Sequence, residues 1–102
     1  MIREFFLGFI KIHMLYHASK EPVYGAWLMQ ELARHGYELS PGTLYPALHA
    51  LERDGYLSKE VRVTEGRQRK YYQITDRGQM VLGEARGRIA ELVSEVLGDE
   101  EG

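Results

Sequence analysis

The sequence predicts an α+β fold that is mostly α: a winged helix-turn-helix with a β-hairpin wing and a long C-terminal dimerisation helix. Three observations lead to this prediction. Two short helical patterns lie close together, and the second has marked ends at Ser40 and Gly55. Apolar and polar residues alternate in two runs over 57–74, as in a hairpin. A final segment from Arg77 carries apolar residues at heptad spacing.

Composition limits the class of protein. With 44% apolar and 27% charged residues, the 102-residue chain is expected to be one soluble globular domain. It contains no cysteine, which excludes disulfides and thiolate metal sites and favours a cytoplasmic location. The apolar N-terminus is interrupted by Lys11 and His13, so we expect neither a signal peptide nor a membrane span.

The first helix is predicted from about Ile2 to Ala18, before Pro22. Its apolar residues extend around more than one side, so it should be buried on more than one side. In so short a chain the second surface is expected to meet another subunit. The residues assigned to that contact are Phe5, Phe6 and Phe9.

The next two helices form the predicted helix-turn-helix. The first runs from about Tyr24 to Arg34 and is closed by Gly36. The second is expected to be capped by the Ser40 hydroxyl and closed by Gly55. Its buried stripe is Leu44, Ala47, Leu48 and Leu51. Its opposite face is small, polar or basic: Gly42, Thr43, Pro46, His49, Ala50 and Arg53.

A hairpin is predicted over Leu57 to Ile74, with residues 65–68 at its tip. Tyr72 should face the core and Tyr71 the opposite side. Three cations lie near the tip: Arg67, Arg69 and Lys70. Such close positive charges repel one another unless an anion neutralises them.

Thr75 or Asp76 is expected to cap a last helix from about Arg77 to Leu97. Its apolar residues follow steps of 3, 4, 3 and 4, the seam of a coiled coil. We interpret this seam as a dimerisation surface, with packing onto the chain's own helices as the alternative. The residues of the seam are Leu82, Ala85, Ile89, Leu92 and Val96.

This order of elements favours binding to double-stranded DNA. The third helix would meet base edges in the major groove, and the hairpin would reach phosphates or the minor groove. A two-fold dimer would read a near-palindromic operator. Net charge is −2, but residues 1–82 hold 11 Lys/Arg against 9 Asp/Glu, and the acidic excess lies in 83–102. The expected DNA contacts are Ser40, Gly42, Thr43, Tyr45, Pro46, His49, Arg53, Arg67, Arg69 and Lys70. For Tyr45, half-buried packing is an equal alternative.

Several motifs together resemble the PadR family of bacterial and archaeal transcriptional regulators. They are Tyr24-Gly25, Ser-Pro-Gly-Thr-Leu-Tyr-Pro-Ala-Leu over 40–48, Gly-Tyr-Leu over 55–57, Arg-Lys-Tyr-Tyr over 69–72 and Ile-Thr-Asp-Arg-Gly over 74–78. The resemblance spans about Leu15 to Leu82. It implies a dimeric winged-helix repressor, often of detoxification, efflux or phenolic-acid genes, in the short form with one C-terminal helix.

Some short members of that family bind flat aromatic drugs between tryptophans of their C-terminal arms. This arm has no aromatic residue, and we interpret Trp27 as a core residue. The hypothesis for a small-molecule effector is therefore a site at the dimer interface of the first and last helices. His13 and His17 lie one helical turn apart, but no third ligand is evident, so we expect no metal and no cofactor.

We accordingly divide the chain into a winged-helix DNA-binding domain (1–75, its first helix also in the dimer interface), a dimerisation helix (76–98) and a flexible tail (99–102). The alternative function is a winged-helix protein–protein interaction module without sequence-specific DNA binding. An enzyme is not expected, because the sequence lacks cysteine, a Gly-rich phosphate loop and a paired His/carboxylate motif.

Overall fold

The computed structural model describes residues 1–98. The tail expected over 99–102 lies outside the described residues. The elements, in chain order, are α1 (Ile2–Lys20), α2 (Gly25–Arg34), α3 (Pro41–Arg53), β1 (Leu57–Thr64), β2 (Arg67–Ile74) and α4 (Asp76–Val93), which continues as a π-helical turn (Ser94–Gly98). This order confirms the mostly helical winged fold.

Local chemistry sets the helix ends. Gly36 and Gly55 adopt φ values of 93° and 86°, which glycine tolerates best, and they close α2 and α3. Thr75 caps α4, as predicted. Its hydroxyl accepts a hydrogen bond from the Gly78 N–H at 3.0 Å and donates one to the Gly55 carbonyl at 2.6 Å.

The predicted hydroxyl cap at Ser40 is wrong. The Thr43 N–H, a donor that such a cap would use, already lies 3.0 Å from the Ser40 carbonyl oxygen. The Ser40 hydroxyl instead points to the Thr43 hydroxyl at 3.4 Å. The backbone of Ser40 therefore closes the first turn of α3 without its side chain.

The strands pair antiparallel, from Leu57 opposite Ile74 to Thr64 opposite Arg67. The loop is shorter than the four-residue tip expected from sequence. Only Glu65 and Gly66 form it, with φ values of 53° and 74°, which is typical of the type I′ turn that suits strand twist.

A short third edge extends the hairpin at its base. Val23 precedes α2, and its N–H and carbonyl bond the Tyr72 backbone at 2.9 and 2.7 Å. The start of α2 is therefore tied directly to the second strand of the wing. The sequence pattern did not predict this bridge.

One core holds the elements together. Tyr72 is 2% exposed, as predicted, and the apolar stripe of α3 is fully buried. The core residues are Ile10, Met14, Leu15, Ala18, Val23, Leu28, Leu32, Leu44, Ala47, Leu48, Leu51, Leu57, Tyr72 and Leu82. Trp27 is half-buried and packs against this cluster.

Two residues assigned to dimerisation belong to the protomer itself. Leu82 is 1% exposed, because α4 packs its N-terminal half against α1. Phe6 is half-buried, and its ring lies 5.6 Å from that of Tyr37. We therefore remove Leu82 from the candidate dimer surface and treat Phe6 as a partner of Tyr37.

Candidate nucleic-acid interface

The small and polar face of α3 is exposed between two clefts. Gly42, Pro46, His49 and Arg53 are exposed, and Thr43 is half-buried. On one side the cleft is bounded by the hairpin, and on the other by α1. The opposite, apolar stripe of α3 is buried in the core, so the core holds α3 with its small and polar face towards the outside.

The hairpin-side cleft has a volume of about 530 Å³. It brings together five predicted DNA contacts, namely Tyr45, His49, Arg67, Arg69 and Lys70, together with Tyr24 and Gly25 at the start of α2. Cations from the wing therefore face side chains from α3 across one open space. Phosphate groups are anions of the kind that such a cleft attracts.

Tyr45 is held against the start of α2. Its ring lies so close to Gly25 that a Cβ there would come within 2.5 Å of the Tyr45 hydroxyl oxygen. The Tyr45 side chain is still 37% exposed and lines the hairpin-side cleft. The packing alternative thus holds for one side of the Tyr45 ring, and the contact of Tyr45 with DNA stays a prediction.

Two arginines of the wing stack on tyrosines. The Arg69 guanidinium carbon lies 4.4 Å from the Tyr24 ring centre, and that of Arg62 lies 4.5 Å from the Tyr71 ring centre. The two rings meet edge to face at 5.3 Å. We call this set, Arg62–Tyr71–Tyr24–Arg69, the arginine–tyrosine ladder. It connects both strands of the wing to the residue before α2.

The remaining cations differ in their surroundings. Among the described residues, Arg67 and Lys70 form no ion pair, whereas Arg62 pairs with Glu60 at 3.1 Å. Arg53 lies 3.3 Å from Asp54, with both side chains largely exposed. Such an exposed pair is weak and can exchange its partner for a phosphate.

The α1-side cleft is smaller, about 210 Å³. Gly42, Thr43 and Pro46 line it from α3. Arg3, Leu7 and Lys11 line it from α1. Arg3 and Lys11 are not among the site residues predicted from the sequence, because the pattern of α1 indicates only an apolar contact surface at Phe5, Phe6 and Phe9.

Away from α3, an apolar groove of about 830 Å³ runs between α1 and α4. Six of the eight residues predicted for dimerisation line it: Phe5, Phe9, Ala85, Ile89, Leu92 and Val96. Phe5 is 58% and Val96 is 63% exposed in the single chain. A continuous exposed apolar surface of this kind is typical of an interaction site.

His13 and His17 of α1 line a cleft together with Glu31 of α2 and with His35, the residue that follows α2; we call it the histidine cleft. The Glu31 carboxylate accepts from Arg34 at 2.9 Å and lies 3.1 Å from the nearer His35 nitrogen. The hydrogen bond from Arg34, followed by that from His35, lowers the pKa of Glu31 to about 2. Burial lowers the pKa of both His13 and His17. Within residues 1–98, no group of three or more His, Asp or Glu side chains has the geometry of a metal site.

None of the helices described over 1–98 is both long and apolar enough to cross a membrane.

The helix-turn-helix, the exposed face of α3 and the cationic hairpin together define a winged-helix protein in which α3 and the wing border one open cleft. Comparison with known proteins identifies the family. The profile of the transcriptional regulator PadR-like family matches residues 14–84, and the chain belongs to this family.

Several relatives agree with this assignment. The chain is 52% identical over 99 residues to the transcriptional regulator Rv3488 of Mycobacterium tuberculosis, covering 97% of this chain and 92% of that protein. Its fold is similar to that of a PadR-like transcription factor from Bacteroides fragilis (TM-score 0.82, 34% identity, 92% of each chain). It is also similar to a PadR family regulator from Eggerthella lenta (TM-score 0.81, 35% identity, 94% of this chain and 85% of that one). The chain is thus a transcriptional regulator and not an enzyme.

Proposed function

We propose that this protein is a dimeric, sequence-specific DNA-binding repressor. The single observation that supports this most strongly is the hairpin-side cleft, in which wing cations face Tyr45 and His49 of α3. An α-helix fits the major groove, where side chains meet base edges, while cations beside it meet phosphates. In this proposal Thr43 and His49 contact bases or phosphates, and Arg67 and Lys70 contact phosphates.

A second copy of the chain is proposed to cover the apolar groove between α1 and α4. Six predicted dimerisation residues line the groove, four of them at heptad spacing along α4 and its π-helical continuation. Five of the six are large apolar residues left exposed in the single chain: Phe5, Phe9, Ile89, Leu92 and Val96. A two-fold dimer would present two α3 helices to one duplex. The operator is then a near-palindrome whose half-sites lie about one helical turn, ~34–36 Å, apart or a multiple of it.

The repressor role and the target genes rest on the family resemblance. Repression of detoxification, efflux or phenolic-acid genes would need a signal that releases the DNA. Because the groove is lined by apolar side chains from both α1 and α4, a hydrophobic effector would bind best there. Isothermal calorimetry of the dimer with a panel of hydrophobic compounds tests this part, and no heat with any of them would count against it.

A gel shift tests the main proposal. The probe is a duplex from the region upstream of the protein's own coding sequence, with an unrelated duplex of equal length as the control. We expect a discrete complex with two chains per duplex at protein concentrations that leave the control duplex free. Equal binding to both duplexes, or no binding to either, would instead favour the alternative of a protein–protein interaction module.

A further inference from the structure

The α1-side cleft is lined by two cationic residues, Arg3 and Lys11, that lie outside the helix-turn-helix of α2 and α3. Arg3, Leu7 and Lys11 recur every four residues and therefore lie along one stripe of α1. Leu7 is half-buried, and the stripe faces Gly42 and Thr43 of α3 across the cleft. Because α1 packs on α3, the backbone positions of Arg3 and Lys11 are fixed relative to α3.

No acidic side chain within residues 1–98 neutralises these two charges. Among the described residues, neither Arg3 nor Lys11 forms an ion pair, and the cleft has no carboxylate in its lining. The nearest acidic residue in sequence, Glu4, pairs with the N-terminal amine at 2.9 Å and lines the apolar groove on another side of α1. Two unpaired cations beside a helix face of small residues make a surface suited to an external anion.

The geometry points to a second phosphate-binding edge, formed by Arg3 and Lys11, that contacts the DNA strand on the side of α3 away from the wing. This inference rests on the proposed DNA binding. A helix in the major groove lies between two phosphate backbones, about 12 Å apart across the groove. The wing supplies cations on one side of α3, and α1 supplies them on the other.

The spacing of the two cations also suits a backbone. Positions eight residues apart on a helix are separated by about 12 Å along its axis. One DNA strand advances about 3.4 Å along the duplex axis per phosphate, so the pair can reach separate phosphates. The small side chains of α3 along this cleft leave room for the backbone to approach, since Gly42 has no Cβ and Pro46 is compact.

The test compares two doubly substituted variants, each with two positive charges removed. Arg3→Ala/Lys11→Ala removes the proposed edge. Lys20→Ala/Arg86→Ala is the matched control, because Lys20 stacks on Tyr16 at the end of α1 and Arg86 lines the separate histidine cleft. Fluorescence anisotropy gives Kd for the upstream duplex and for a random duplex over a range of KCl concentrations. Circular dichroism and size-exclusion chromatography establish that each variant keeps its fold and assembly.

For Arg3→Ala/Lys11→Ala we expect the slope of log K against log salt to be shallower by about 1.8 than that of the wild-type protein. Each phosphate contact contributes about 0.9 to this slope, and the variant lacks two. The loss should be equal on both duplexes, because phosphate contacts carry no sequence information. The charge-conserving variant Arg3→Lys/Lys11→Arg should keep the wild-type slope. A wild-type slope in the alanine variant, or an equal loss in the control, would overturn the inference while leaving DNA binding itself established. If the wild-type protein bound neither duplex, the proposed function would fail first.

Discussion

The guanidinium carbon of Arg69 lies 4.4 Å from the centre of the Tyr24 ring, so this wing cation is already engaged within the protein. Arg62 is its direct partner across the hairpin, and two like charges in that position repel. The arginine–tyrosine ladder separates them by stacking each on its own tyrosine. We therefore expect Arg69 to act chiefly by positioning the wing against α2, which leaves Arg67 and Lys70 for the proposed phosphate contacts.

This relationship predicts coupling between Tyr24 and Arg69. Tyr24→Leu and Arg69→Ala should each weaken DNA binding. The double variant should lose less binding free energy than the two single variants together, by a coupling energy of about 0.5–1 kcal/mol. Anisotropy titrations of the four proteins measure it. Lys70→Ala is the control variant. Its loss of binding free energy should add to that of Tyr24→Leu without coupling. Strictly additive losses for Tyr24 and Arg69 would show that the stack does not orient the wing.

A second prediction concerns the contact between Gly25 and Tyr45. Gly25→Ala should displace the Tyr45 ring, because the new Cβ would lie 2.5 Å from its hydroxyl oxygen and its ring. We expect weaker DNA binding with the fold retained, since the exposed ring can rotate away. The test is the double variant Gly25→Ala/Tyr45→Ala, which should bind no worse than Tyr45→Ala alone. A further loss in the double variant would mean that Gly25 acts through something other than Tyr45.

Two glycines of α4 should respond oppositely to alanine. A Cβ at Gly78 would clash with the Tyr56 carbonyl oxygen, so Gly78→Ala should destabilise the protein by about 1–3 kcal/mol. Gly83 has no atom within 4 Å of its ideal Cβ position, so Gly83→Ala should stabilise the helix by about 0.5–1 kcal/mol. Urea denaturation measures both free energies of unfolding. Equal effects from the two substitutions would contradict the packing of α4 on the loop after α3.

The histidine cleft predicts that stability falls on acidification. Burial lowers the pKa of His13 and His17, so below about pH 6.5 the unfolded chain binds more protons than the native one. Stability should therefore decline as the pH drops through 6.5 towards the native pKa values. The pKa of Glu31 is about 2 in the folded protein. Stability should therefore fall further between about pH 4.5 and 2, because protonation of the Glu31 carboxylate removes its ion pairs.

Denaturation midpoints at pH 7.5, 6 and 5 test the histidine part of this prediction. His13→Gln/His17→Gln should show a smaller change in the free energy of unfolding over this range than the wild-type protein. Basal stability does not decide the outcome, because each protein is compared with itself across pH. An unchanged pH profile in the variant would mean that these imidazoles titrate alike in both states.

Much of the fold follows from local pattern. The apolar stripe of α3, the alternation that buries Tyr72 and the caps at Gly55 and Thr75 depend on residues close in sequence, so they were predicted correctly. The errors arose where backbone geometry or tertiary contact decides. Ser40 satisfies the first turn of α3 by its carbonyl, and Leu82, at a heptad position, is used by the protomer's own core.

The candidate site was only partly visible in sequence for the same reason. The candidate DNA contacts on α3 and the wing could be predicted from the exposed face of the helix pattern and from the charges near the hairpin tip. The Val23–Tyr72 bridge, the stacking of Arg69 on Tyr24 and the approach of Lys11 to α3 join segments far apart in the chain. A single sequence carries no pairwise signal for such contacts, although the Tyr24-Gly25 dipeptide marked one of the places involved.

The proposed function requires that α3 and the wing bind duplex DNA through phosphates and bases. The most direct measurement is the salt dependence of binding to the upstream duplex for the wild-type protein and for Arg67→Ala/Arg69→Ala/Lys70→Ala. We expect the affinity of the wild-type protein to fall steeply with salt, and the triple variant to form a much weaker complex with a shallower salt dependence. A triple variant that binds the duplex with unchanged affinity at physiological salt would contradict the proposed function.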